Sequence, residues 1–101
     1  MNIVEKASTP VKSPVFVING STPGPKLWVH GGVHGDEHEG PQAIIRLARD
    51  LDPSALKGVI IAVPVINTLA FEAFQRGSPV DNLDLNRCFP GKADGFISEQ
   101  V

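Results

Sequence analysis

The chain is poor in the features that mark the specialised protein classes. Cysteine occurs once, at Cys88, so no internal disulfide can form and a reducing, cytoplasmic setting is expected. No apolar run approaches the roughly 18 residues of a membrane span. The first ten residues carry Glu5 and Lys6 and have no apolar stretch, so no signal peptide is visible. There is no excess of positive charge: 9 basic residues stand against 11 acidic ones, which leaves no electrostatic footprint for nucleic acid or an anionic membrane. Repeats and low-complexity tracts are also missing. What remains is an ordinary globular composition over 101 residues, enough for one small domain or a piece of a larger one.

The chain has 9 prolines and 10 glycines, and they divide it into short blocks. Residues 14–18 are β-branched and aromatic and read as a strand. Residues 19–25 are turn chemistry throughout. Residues 27–30 read as a second strand, expected to pair antiparallel with the first. Gly31 and Gly32 end it. Ile44, Leu47, Ala48 and Leu51 then recur at helical spacing, with Arg46, Arg49 and Asp50 on the other side. Pro41 is tolerated only in a first turn, so this helix starts shortly before it, and Asp52-Pro53 closes it. The unbroken apolar run 59–63 suits a strand buried on both faces of a parallel sheet. Strand, helix and buried strand make a βαβ unit, and the fold class is α/β with a partial mixed sheet. Leu69, Phe71 and Phe74 fit a short helix. Residues 1–12 read as a tail or edge segment, and 77–101 as mostly loop, broken by 83–87.

In open α/β sheets ligands bind beyond the carboxyl ends of parallel strands. There the sequence concentrates its chemistry: His30, His34, His38, Asp36, Glu37 and Glu39 fall within ten positions. His34 and Glu37 are three apart at a loop-to-helix junction, so one helical turn brings imidazole and carboxylate to the same side. Such a pair can ligate zinc, whose catalytic sites use three protein ligands plus water. Gly35 allows the backbone between them a conformation costly to other residues. The plain alternative is a helix N-terminus decorated with acids beside a hydrogen-bonded histidine. A second alternative is the His-x-x-Glu-His pattern, with His34 and His38 as ligands and Glu37 as base. It needs a continuous helix, and Gly31, Gly32 and Gly35 make His34 a loop residue. His38 is therefore expected to be solvated or to stand behind the ligands, and His30 to be packed and hydrogen-bonded.

A second constellation is Asp84-Leu85-Asn86-Arg87-Cys88-Phe89-Pro90-Gly91, with Arg76 upstream. The guanidinium fork of Arg87 suits a carboxylate, and Asn86 adds an amide donor. An equally simple reading pairs Arg87 with Asp81 or Asp84 at the surface. Cys88 has no nearby histidine to activate it and reads as a buried structural thiol.

Gly31-Gly32-Val33-His34-Gly35-Asp36-Glu37-His38-Glu39-Gly40, followed by the Asp84–Gly91 motif with a βαβ unit between, resembles the succinylglutamate desuccinylase/aspartoacylase family over about residues 14–91. The resemblance implies a zinc carboxypeptidase-like α/β/α domain, of which these residues form the N-terminal part. It implies His34 and Glu37 as ligands of one Zn2+ and Arg76 as the group that polarises the scissile carbonyl. It also implies that Asn86 and Arg87 hold the substrate's free carboxylate, and that Asn67 shapes the site. The family most often has an aromatic or small residue where this chain has His38. Its third zinc ligand and general-base glutamate come from beyond the Asn-Arg pair, so the chain is expected to be an incomplete fragment. The function implied is a zinc-dependent deacylase of N-acyl amino acids or similar small amides, inactive as 101 residues alone. The rivals are a metallocarboxypeptidase acting on peptides and a non-catalytic binding module. Self-association through the incomplete sheet is a further expectation.

Overall fold

β5 (Lys57–Val63) runs between two strands that differ in direction. On one side it pairs antiparallel with β3 (Phe16–Asn19), and on the other it runs parallel to β4 (Thr22–His30). This is a computed structural model that describes residues 1–4, 6 and 9–101. The two early strands are therefore not a hairpin, contrary to the expectation from residues 14–30. Although β3 ends at Asn19 and β4 begins at Thr22, the link passes across the start of β5. The Gly20 N–H donates to the Gly58 carbonyl at 2.8 Å. A Cβ on Gly20 would stand 2.3 Å from the Leu56 oxygen, and one on Gly58 2.0 Å from that of Pro25. The glycines that read as turn residues thus serve a close backbone crossing, and Gly58 also has φ +95°. The strand absorbs Pro23 and Pro25 because its register with β5 is broken between Thr22 and Lys26.

α1 (Glu39–Asp50) connects β4 to β5 and packs on both, which gives the βαβ unit read from the sequence. Its start fits the tolerance for Pro41, which with Ile44 is its buried residue. Leu47, on the expected buried face, is still partly exposed. The register puts Val17, Ile61 and Trp28 on one face of the sheet, together with Val63. There Val63 packs with Ile66 and Leu85, and Val15, Val33, Cys88 and Val101 close around them. The burial expected for 59–63 is complete at Ala62 and Val63 and partial before them.

α2 (Thr68–Glu72) is the short helix expected from Leu69 and Phe71, but Phe74 lies beyond its end at φ +52°. The 77–101 segment is mostly loop, with a single 3-10 turn at Leu85–Arg87 and α3 (Ile97–Gln100). Asp81 holds it together, accepting from the Ser98 N–H and hydroxyl at 2.8 Å each. Within 1–12, β1 (Asn2–Val4) and β2 (Val11–Lys12) form an antiparallel ribbon of their own. Glu5 lies outside the described residues. No helix among the described residues is long and apolar enough to cross a membrane.

Candidate functional site

Beyond His30 the β4–β5 ladder does not stop but continues into the loops. Gly31 N–H donates to the Val63 carbonyl, Ile66 N–H to Gly31, and Asn67 N–H to Gly32, all near 3.0 Å. The two loops that leave the sheet at this edge are thereby held side by side. Asn67, nearly fully buried, locks them. Its side-chain oxygen caps α2 by accepting from Ala70 N–H at 3.2 Å, and its amide donates to the Val33 carbonyl at 3.1 Å. At the other end of α2, the Gly35 N–H donates to the Gln75 carbonyl at 2.9 Å. A Cβ on Gly35 would stand 2.0 Å from the Ala70 oxygen and 2.5 Å from that of Gln75. Gly35 is thus needed for close approach. Its φ is not in the left-handed region, which corrects the conformational reason expected for it.

This clamp presents His34, which is only 7% exposed. Its Nδ1 lies 3.0 Å from Glu37 Oε1, and its Nε2 lies 2.9 Å from Asp84 Oδ1. Arg76 lies across the two carboxylates, with Nη1 donating to Glu37 Oε1 at 3.2 Å and Nε 3.6 Å from Asp84 Oδ2. Residues separated by up to 50 positions thus form one cluster of imidazole, two carboxylates and guanidinium. A neutral imidazole has a single N–H to offer two carboxylate oxygens. With that N–H on Nε2 toward Asp84, the Nδ1 lone pair faces Glu37 Oε1, and a cation between them relieves the repulsion. Imidazole nitrogen and carboxylate oxygen are donors that suit Zn2+. A carboxylate on the far nitrogen is the arrangement that orients a ligating histidine. Among the described residues no group of three His, Cys, Asp or Glu side chains is placed to hold a metal ion.

Asp84 was assigned no part in this cluster by its sequence, which offered it only as a surface partner for Arg87. Its burial pushes its pKa up, but His34, the Asn86 N–H and the Arg76 charge outweigh that and hold it below the usual carboxylate range. The same oxygen that meets His34 also accepts from the Asn86 N–H at 2.9 Å, opening the 3-10 turn. Only the Asp-x-Asn spacing of this turn hinted at Asp84 in the sequence.

Asn86 and Arg87 are exposed on that turn, and Arg87 forms no ion pair among the described residues. It lines an open cavity of about 630 Å³ with Asp84, Phe89, Lys92 and Glu99. Cys88 is half-buried rather than buried. Desolvation, with the charges of Glu99, Asp81 and Asp84, pushes its thiol pKa up, so it is a poor nucleophile. His38 has other partners: its Nε2 meets the Gly35 carbonyl at 3.2 Å, and its ring packs against Phe71 and Phe74. The continuous-helix alternative fails on this geometry, because α1 begins only at Glu39. His30 accepts from Trp28 Nε1 at 3.1 Å and stacks on Phe89.

The comparisons with known proteins agree with one another. The model of the succinylglutamate desuccinylase/aspartoacylase catalytic domain matches residues 23–100. The N-alpha-acetyl-L-2,4-diaminobutyric acid deacetylase of Halomonas elongata is 41% identical over 97 residues, which are 96% of this chain and 28% of that enzyme. A solved succinylglutamate desuccinylase/aspartoacylase from Rhodobacter sphaeroides is 44% identical with a TM-score of 0.82, over 90% of this chain and 28% of the other. The product-bound ectoine utilization protein EutE from Ruegeria pomeroyi is 38% identical with a TM-score of 0.84, over 99% of this chain and 31% of the other. The chain therefore spans less than a third of each of these relatives. With more than half of its residues under the family model, the chain belongs to the succinylglutamate desuccinylase/aspartoacylase catalytic-domain family.

Proposed function

We propose that these residues form the metal- and carboxylate-binding part of a zinc-dependent amide hydrolase that removes the acyl group from an N-acyl amino acid. The observation that carries the reading is the convergence of His34 Nδ1 and Glu37 Oε1 at 3.0 Å, with Asp84 on the opposite ring nitrogen. His34 and Glu37 are the residues that would hold the ion. Bound Zn2+ supplies an activated water and polarises the amide carbonyl. Asp84 keeps the proton of His34 on Nε2 and fixes the ring. Arg76, drawn toward Glu37 and Asp84, turns a guanidinium to the oxygen on which negative charge develops. Asn86 and Arg87, on the turn that Asp84 opens, grip the substrate's free carboxylate and so orient the amide. The Halomonas relative, named for an N-acetylated diamino acid, supports this substrate class. The third ligand and the base that takes the water's proton are assigned to the part of the family domain that this chain does not span.

The test joins residues 1–101 covalently to the remainder of the Halomonas enzyme and follows amide hydrolysis. R87A is expected to raise KM for free-carboxylate substrates by about tenfold or more, with far less effect on carboxamide-blocked ones. Equal losses on both would make Arg87 structural, and an inactive but folded, zinc-loaded chimera would sink the reading.

A further inference from the structure

The ion pair between Glu37 and Arg76 joins side chains 39 positions apart that are 59% and 55% exposed. A pair so open to water holds little of its own geometry, so the backbone that delivers each partner must set their separation. His38 stands on that path. The Gly35 carbonyl can only accept, so His38 Nε2 carries a proton and donates to it across 3.2 Å. The half-buried imidazole also meets Phe71 at 5.0 Å and Phe74 at 5.5 Å between ring centroids, the second edge-on. Gly35 in turn donates its N–H to the Gln75 carbonyl. The contacts close a circuit: Gly35 to His38, His38 to Phe74, and Gln75 back to Gly35. Each site residue is the chain neighbour of one member. His34 precedes Gly35, Glu37 precedes His38, and Arg76 follows Gln75.

The turn from α2 toward Arg76 gives a second, independent observation. Phe74 N–H donates to the Phe71 carbonyl at 3.2 Å and Gln75 N–H to that of Ala70 at 3.1 Å. These are the two bonds of a helix stop whose left-handed residue is usually glycine. Here that residue is Phe74, at φ +52°, a conformation a bulky side chain adopts only at a cost. Burial does not account for a phenylalanine there, because Phe74 is 71% exposed. Its contact with His38 does.

We propose that His38 is a positioning residue. Through its hydrogen bond to Gly35 and its contact with Phe74, it sets the separation of Glu37 and Arg76 and so the placement of the Arg76 guanidinium. The consequence for catalysis rests on the function proposed above; the consequence for geometry does not. Asn86 and Arg87 stand on a different turn, so the grip on the substrate's carboxylate is independent of His38. Packing alone would ask only for an apolar ring at position 38. Positioning asks in addition for an N–H at the reach of Nε2.

The experiment uses the covalent chimera described above and measures kcat, KM, zinc content and thermal unfolding, with a crystal structure of each variant. H38F keeps a ring against Phe71 and Phe74 and removes the donor. Its kcat is expected to fall about tenfold or more, with KM and zinc content changed by less than about twofold. Arg76 Nη1 is expected to leave hydrogen-bond reach of Glu37. H38Q, whose amide nitrogen reaches about as far as Nε2, is expected to recover most of kcat and to return Arg76. F74G separates positioning from stability. Glycine suits φ +52°, so the unfolding midpoint should hold or rise while kcat falls about tenfold. A merely structural role would move the two together. H38F or F74G at the parent kcat overturns the proposal, and so does H38Q no better than H38F. A folded, zinc-loaded but inactive chimera, in which H38F and F74G still displace Arg76 and H38Q restores it, sinks the proposed function and leaves the positioning standing. An active chimera in which neither variant moves Arg76 does the reverse.

Discussion

Two neighbouring stretches at the carboxyl end of β4 have opposite fates. Leu27 and Trp28 are large apolar residues, but only the chain beyond His30 runs on into buried backbone. There, Gly31 and Gly32 pass into a ladder with Val63, Ile66 and Asn67, and every loop leaving the sheet is tied to another. Two residues back, Leu27 and Trp28 stand half exposed. The difference does not follow hydrophobicity, since the buried stretch is a pair of glycines and the exposed one is Leu-Trp; it follows what folds over each. Burial in this chain follows the loops around His34, and the sheet is tied most closely at that edge.

The comparison predicts a steep gradient of mutational effects. The largest belongs to Gly35, where an added Cβ meets main-chain oxygens that cannot rotate away. G35A is expected to cost about 3 kcal/mol or more in denaturant unfolding. G40A, in the first turn of α1 with its nearest neighbour at 3.5 Å, should be neutral or stabilising. If the two cost the same, the clamp between the His34 loop and α2 is not rigid. N67A comes next, with about 2 kcal/mol expected from the lost helix cap and the orphaned Val33 carbonyl.

How much of this was readable beforehand depended on sequence distance. His34 and Glu37 were legible because one turn of chain joins them, and α1 because Pro41 and the spacing of Ile44 and Ala48 are local signals. Asp84 was not, because its partner His34 lies 50 positions away and its own neighbourhood satisfies it as a simple turn. The strand order was misread for a related reason. Gly20 and Pro23 are hairpin residues by composition, but here the link crosses the start of β5, and glycine is required by its closeness to Gly58 and Leu56.

A smaller effect is expected from acid. Asp81 and Asp84 both have folded pKa values below their unfolded ones: for each, burial raises the value and hydrogen bonds outweigh it. Their contribution is present above the unfolded carboxylate pKa near 4 and is lost as pH falls through the lower folded values. Stability measured by thermal unfolding should therefore decline below about pH 4, and D81N should flatten that decline. The smallest effect belongs to the open end: V17T should change stability by less than about 0.5 kcal/mol, checked in the same unfolding series. A large loss there would mean that the uncovered face is already occupied in solution.

One oxygen atom gives the molecule a gauge. Asp84 Oδ1 receives both the His34 imidazole and the N–H of Asn86, so the imidazole and the turn that displays Arg87 are referred to a single point. Neither can drift without dragging the other. On the function proposed above, the span from His34 to Arg87 is therefore a built-in length standard for any substrate that reaches from one to the other.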